Sequence, residues 1–155
     1  MGTKLRRYEK SSLLRCSAEK LFKFHLESKN LQKITPKEIK VELLEDSTDI
    51  YEGKILHLNI TRSFFMQKWE VKIERLDEPK MIVDNALRSP FGYFVHTHLF
   101  TPLDAKHCEL RDRIHYKLPF GFIGDLFGAL VHRELEKMFS YRHKKTRELL
   151  EEKIC

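Results

Sequence analysis

The feature that most constrains this chain is a run of extended segments with no helix between them. After Pro36, apolar residues recur at every second position, as expected for strands with one buried face. Five or six consecutive strands without intervening helices predict an antiparallel meander, not alternating strand–helix units. The predicted strands cover residues 39–43, 51–60, 65–74, 81–86, 91–101 and 109–118.

Helical signals flank this run on both sides. An opening strand over Lys4–Leu14 is followed by Ser17, a good N-cap, and by two short helices that end before Pro36. Residues 122–152 contain no Pro and carry apolar residues at the helical period. A helix of ~30 residues would reach ~45 Å, long enough to cross the whole sheet. The sequence therefore predicts an α+β fold in a single domain over residues 1–155.

The cysteines and the apolar runs exclude several classes of protein. Cys16, Cys108 and Cys155 are widely spaced and form no CxxC pair, which argues against a disulfide framework and against a zinc knuckle. No apolar run approaches the ~18 residues that cross a bilayer, so integral membrane association is not expected. The first residues contain no apolar core of a secretory signal, and the expected location is cytoplasmic.

The chain is basic, with 29 Lys and Arg against 23 Asp and Glu. Such a charge favours acidic partners, but the densest basic runs, Lys4–Arg7 and Arg142–Arg147, lack the stacking aromatics of a single-strand binding surface. We therefore expect a solvated basic face and no nucleic-acid partner. No Gly-rich phosphate loop or Ser–His–Asp spacing is present, and no cofactor is expected.

Polar residues interrupt the apolar faces of the last two predicted strands. Phe94, His96, His98 and Phe100 share one face, and the apolar face of the next strand carries Asp112. If both faces point inward, a three-residue hairpin loop places His98 opposite Asp112 or one diagonal step away. Because an unpaired buried carboxylate costs several kcal/mol, a nearby imidazole is its natural partner.

Two interpretations of this pair stay open, a polar anchor for a ligand and a purely structural contact. Metal binding by His96, His98 and Asp112 is possible as two imidazoles and a carboxylate, but two His at alternate strand positions are a weak signal, and no metal is expected.

Each of several other polar residues has a structural interpretation beside a functional one. Trp69 is either cavity wall or plain core, and its indole N–H needs a partner such as Asp84 or water. Asp84 itself is expected to pair structurally. Arg142 could meet a ligand carboxylate, but we expect it to reach solvent. Four further histidines are expected at the surface, namely His57, His107, His132 and His143.

Several motifs along the chain together resemble a known fold family. They are Pro36, Gly53, Trp69, Asp84, Pro90-Phe91-Gly92, His96-Thr97-His98-Leu99-Phe100, Asp112, Tyr116-Lys117-Leu118-Pro119, Gly121 and Phe139-Ser140-Tyr141-Arg142. With the order of elements, they resemble the SRPBCC, or START-like, superfamily, which includes birch-pollen-allergen-like and polyketide cyclase/dehydrase-like members. The resemblance implies a helix-grip fold, in which a curved antiparallel sheet grips a long C-terminal helix around a cavity.

The first functional hypothesis is a non-enzymatic binder of a small hydrophobic molecule, such as a lipid, an isoprenoid or an aromatic polyketide-like compound. The alternative is a cyclase, dehydratase or hydrolase with His98 or His96 as general base and Asp112 orienting it. A third is an interaction module whose basic face meets a membrane or a protein. The expected apolar walls are Trp69, Phe94, Phe100, Phe127, Leu130 and Met138, and the expected polar end is His96, His98, Asp112 and Tyr116.

Overall fold

The computed structural model describes residues 4–45 and 49–151. The strands within these ranges are β1 (Arg6–Leu14), β2 (Ile39–Leu43), β3 (Ile55–Arg62), β4 (Phe65–Asp77), β5 (Met81–Arg88), β6 (Tyr93–Asp104) and β7 (His107–Lys117). The helices are α1 (Ala18–Leu26), α2 (Asn30–Lys33), α3 (Gly121–Asp125) and α4 (Gly128–Glu151). The predicted end of the last helix at Glu152, and Cys155, lie outside the described residues.

The strands form one curved antiparallel sheet in the order β1-β7-β6-β5-β4-β3-β2. Strands β2 to β7 pair with their neighbours in sequence, and β1 joins the free edge of β7. This confirms the predicted meander and the helix-grip fold, with the short helices and the long C-terminal helix packed on the sheet. The predicted N-cap is also present, since the Ser17 hydroxyl accepts a hydrogen bond from the Lys20 amide at 3.2 Å.

The hairpin between β6 and β7 sets which side chains face each other. His98 is the direct partner of Asp112, which is one of the two placements predicted. The connection differs from the predicted three-residue loop, because the register shifts between Pro102 and Asp104 before a two-residue turn. The extra residue in the bulge has the same effect on parity as a third loop residue, so both inward faces stay on one side of the sheet.

The predicted continuous helix over residues 122–152 is interrupted after α3. Two i→i+3 hydrogen bonds tighten the chain there, from the Leu126 amide to the Ile123 carbonyl and from the Phe127 amide to the Gly124 carbonyl. Gly124 also sits against the Pro119 carbonyl, and a Cβ at this position would lie 1.7 Å from that oxygen. This close approach turns α3 back onto the end of the last strand, and α4 starts separately. None of the helices in the described ranges is long and apolar enough to span a membrane.

Two apolar clusters flank the middle of β7. The first packs under α1 and the end of α4, around Phe22, Phe100 and Leu110. The second packs under the first half of α4, around Ile114 and Phe139. Asp112 lies between Leu110 and Ile114 on the same strand face, so the polar group is placed where the two clusters meet.

Candidate functional site

A cavity of about 1050 Å³ lies between α4 and the concave face of the sheet. Strands β3, β4 and β5 supply much of its apolar wall, and α1 and the segment after it close one side. Exposed residues such as Lys29 and Lys137 also border it, so the cavity opens to solvent. The predicted site residues that line it are Trp69, Phe94, His96, His98, Asp112, Leu130 and Met138.

Three predicted site residues lie outside the cavity lining. Phe100 is 1% exposed and packs edge-on against Phe22, because α1 covers that end of β6. Tyr116 is fully buried in the second apolar cluster, against Phe91. Phe127 falls in the break between α3 and α4 and is 57% exposed. The strand period placed Phe100 and Tyr116 on the right strands but could not show which neighbours cover them, and the helical period did not show the break that contains Phe127.

Asp112 is the centre of the polar cluster and is only 3% exposed. Its Oδ1 lies 2.7 Å from Nε2 of His96, and its Oδ2 lies 2.6 Å from Nε2 of His143. Nδ1 of His98 also approaches Oδ1 at 3.0 Å, without the alignment of a hydrogen bond. Burial alone would raise the pKa of Asp112, but the imidazoles around it outweigh that effect and hold the pKa well below its usual range.

His98 joins a second carboxylate to the cluster. Its Nε2 lies 2.8 Å from Oδ2 of Asp84, which was expected to pair structurally and here also lines the cavity. Burial opposes a charge on His98, yet the charge of Asp84 and the contacts with both carboxylates raise its pKa to about 9. The same pairing lowers the pKa of Asp84 against the opposing effect of burial. At neutral pH, His98 is therefore an imidazolium between two carboxylates.

The pKa values of His96 and His25 are lowered, in contrast to that of His98. The His96 ring lies against that of His98, with centroids 3.7 Å apart and the ring planes tilted by 34°, and burial together with the charge of His98 lowers the pKa of His96. Since an ionised carboxylate only accepts, Nε2–H of His96 donates to Asp112 and leaves Nδ1 as an acceptor. His25 lines the cavity from α1, and its pKa falls to about 4 chiefly through burial.

His143 was predicted at the surface, and that prediction is wrong. It is 3% exposed, because it follows Phe139 by one turn on the buried stripe of α4. Besides its bond to Asp112, its Nδ1 lies 2.8 Å from the hydroxyl of Ser12 on β1. The spacing 139, 143, 146, 150 was the sequence signal for its burial, and the basic run around it masked that signal. His57, His107 and His132 are exposed, as expected.

Arg142 was predicted to reach solvent, and the structure places it differently. Its side chain is half-buried and lines the cavity, with the guanidinium carbon 5.2 Å from the centroid of the Phe139 ring. Its Nε is buried and has no hydrogen-bond partner among the described residues. Burial lowers its pKa, an effect that the charges of Asp112 and Asp84 oppose from a longer range.

Trp69 also carries an unsatisfied donor. Its ring packs edge-on against Phe94, with centroids 5.3 Å apart, and its buried Nε1 has no partner in the described part of the chain. Asp84, the partner suggested by the sequence, is bonded to His98 instead. Trp69 is therefore cavity wall, with one N–H still available for hydrogen bonding.

A possible metal-ligand set differs by one residue from the set considered from sequence. Single ligand atoms of Asp84, His96 and His98 all lie within 4.8 Å of one another. Two imidazoles and a carboxylate suit a divalent transition metal. These side chains are already joined to carboxylates, His98 to Asp84 and His96 to Asp112, so a metal would have to displace those hydrogen bonds.

A curved antiparallel sheet that grips a long C-terminal helix around a cavity defines a START-like, helix-grip protein. Residues 14–140 match the family described as "Polyketide cyclase / dehydrase and lipid transport". The chain belongs to this family, which confirms the resemblance seen in its motifs. No curated protein matches the chain in sequence.

Solved structures share the fold at low sequence identity. The aromatase/cyclase ZhuI from Streptomyces sp. R1128 is 17% identical, with a TM-score of 0.77 over 98% of this chain and 97% of that one. Norcoclaurine synthase from Thalictrum flavum is 14% identical, with a TM-score of 0.74 over 100% and 99%. A START superfamily protein from Mycobacterium smegmatis is 16% identical, with a TM-score of 0.71 over 94% and 97%.

Proposed function

We propose that this protein binds a small hydrophobic ligand, such as a lipid, an isoprenoid or an aromatic polyketide-like compound, in the cavity between the sheet and α4. The observation that carries the proposal is a cavity of about 1050 Å³ with an apolar wall and one polar end. Ligand pockets of proteins typically enclose about 300–1,000 Å³ and combine apolar walls with a few placed polar groups. The family's description, which includes lipid transport, supports the same class of ligand.

The apolar walls and the polar cluster contribute to ligand binding in different ways. Burying apolar ligand surface against side chains such as Trp69, Val71 and Met138 contributes roughly 25 cal/mol per Å², before the costs of ordering are subtracted. The cluster around His98 and Asp112 offers hydrogen bonds at one end of the cavity. A ligand therefore gains affinity along its whole length and orientation from the polar end.

Filling the cavity is expected to abolish binding. Val71→Trp adds a large ring to the wall, so native mass spectrometry and thermal-shift screening against lipid and aromatic libraries should find ligands for the wild type and none for the variant. The matched control is Ile55→Trp on β3, which is 41% exposed and lies outside the lining. Binding that persists in Val71→Trp, or that is lost equally in Ile55→Trp, would contradict a ligand site in this cavity.

A second candidate function is acid–base catalysis of the cyclase or dehydratase type. The observation that favours it is a pair of adjacent imidazoles, with centroids 3.7 Å apart, whose pKa values move apart, that of His98 upward and that of His96 downward. At neutral pH this arrangement makes His96 the base and His98 the cation that stabilises negative charge developing on the substrate, whereas the sequence left the base open between the two histidines. Asp112 would orient His96 through the 2.7 Å hydrogen bond.

Exchange of deuterium into an apolar ketone is a direct test of this pair. In D₂O, wild-type protein should accelerate exchange next to the carbonyl of 2-undecanone, with His96 removing the proton and the charge of the His98 imidazolium stabilising the enolate oxygen. His96→Gln should lower the rate by about 10²-fold or more, and the wild-type rate should fall above pH 9 as His98 loses its proton. The exposed His107→Gln serves as control. Exchange no faster than in buffer would exclude the pair as a catalyst of this reaction.

A further inference from the structure

We propose that the polar end of the cavity binds the carboxylate of an apolar monocarboxylic acid through the guanidinium of Arg142. This inference rests on the proposed function, because it concerns the same cavity, and it specifies the chemical class of the ligand. Its basis is a cation that lines the same cavity as Asp84, His96, His98 and Asp112 and has no ion-pair partner in residues 4–45 and 49–151.

Arg142 differs from other arginines whose contacts the structure defines. Arg62 pairs with Glu134 at 2.9 Å, and Arg113 pairs with Glu9 at 2.9 Å. Arg142 forms no ion pair with any carboxylate in residues 4–45 and 49–151, and its Nε is buried without a hydrogen-bond acceptor. A buried donor without an acceptor is costly, and the cost is greater for a charged group.

The carboxylates of the cluster are already engaged. Asp84 is bonded to His98, and Asp112 is surrounded by three imidazoles. Their charges reach Arg142 only from a longer range. The guanidinium therefore keeps hydrogen-bonding capacity that no carboxylate of residues 4–45 and 49–151 takes up, and a ligand in the cavity that Arg142 lines can take it up.

The shape of the site favours a carboxylate. The centroid of the Phe139 ring lies 5.2 Å from the guanidinium carbon, within the range of a cation–π contact. A planar guanidinium edge matches the two oxygens of a carboxylate. The remaining lining is largely apolar, with aromatic rings such as Trp69 and Phe94 farther along the cavity.

Dodecanoate and dodecan-1-ol are the probes, because they share a chain and differ in the head group. At pH 7 and below the micellar concentration, isothermal titration of the wild type should show dodecanoate binding about 10- to 100-fold more tightly than the alcohol. Arg142→Met should reduce this preference to about onefold with little change for the alcohol. Arg142→Lys keeps the charge without the two-pronged edge and should retain only part of the preference. Arg133→Met, at an exposed position of the same helix, should leave it unchanged.

The preference ratio separates this inference from the proposed function. If neither probe nor any library compound binds, both proposals fail. If both probes bind the wild type equally, or if the preference survives in Arg142→Met and Arg142→Lys, the carboxylate site is excluded while the hydrophobic cavity stands. The affinities for dodecanoate and dodecan-1-ol are compared within one variant. Partial destabilisation lowers both affinities and therefore leaves their ratio unchanged. Should Arg142→Met fail to fold, an unchanged preference in Arg142→Lys is sufficient to overturn the inference.

Discussion

Replacing Asp112 with Asn is expected to lower the free energy of unfolding by about 3–5 kcal/mol, the range found when one partner of a buried ion pair is removed. The substitution keeps the shape of the side chain but removes the charge that His96, His98 and His143 surround. The remaining imidazolium of His98 would then be buried with Asp84 alone. Urea unfolding followed by circular dichroism measures the change, and the thermal midpoint should fall by about 10 °C.

The control for this prediction is the same substitution at the exposed hairpin. Asp104 also contacts an imidazole, that of His107 at 2.9 Å, but both side chains lie in solvent. Asp104→Asn should leave the unfolding midpoint nearly unchanged, because exposed ion pairs contribute little. Equal losses in the two variants, or no loss in Asp112→Asn, would show that the buried cluster does not stabilise the fold.

Stability is expected to peak near pH 6.5 and to fall by about 3 kcal/mol between pH 6.5 and 9. Folding raises the pKa of His98 from 6.5 to about 9, so its contribution is complete below pH 6.5 and disappears as the folded protein loses the proton. On the acid side, folding lowers the pKa of His25 to about 4 and also lowers that of His96. Stability is therefore lost as the pH falls below 6.5, because the unfolded chain binds protons that the folded chain does not.

Unfolding free energies measured from pH 5 to 9.5 should show this dome in the wild type. His98→Gln keeps a polar side chain at the same position and should remove most of the decline between pH 6.5 and 9. His107→Gln, whose imidazole is exposed, should reproduce the wild-type curve. A wild-type decline that persists unchanged in His98→Gln would assign the alkaline loss to another group and would contradict the imidazolium described above.

Local rules were enough to predict the sheet and the central pair of the site. Parity along two strands placed His98 opposite Asp112 or one diagonal step away, and the structure has the direct pairing. Because of the bulge before Asp104, the predicted residues face each other although the loop is shorter than predicted. Two different connections can place the same residues opposite each other. The face depends only on whether the loop and any bulge together contribute an odd or an even number of residues.

Strand parity and helical periodicity could not predict contacts between elements that are distant in sequence. His143 reaches Asp112 across 31 positions, and its neighbours in sequence suggested a solvated stretch. Phe94 and Phe100 share a strand face, yet Phe94 lines the cavity while Phe100 is covered by Phe22 of α1. Periodicity assigns a face, whereas only the placement of the helices decides which part of that face stays open.

Asp112 ties together four parts of the molecule: β7 itself, β6 through His96 and His98, α4 through His143, and β1 through the bond between His143 and Ser12. A side chain with that many attachments cannot be varied freely in directed evolution. Libraries aimed at new ligand preference should hold Asp112 and His143 constant and diversify apolar positions of the opposite wall, such as Val71, where changes of volume alter the space without cutting these attachments.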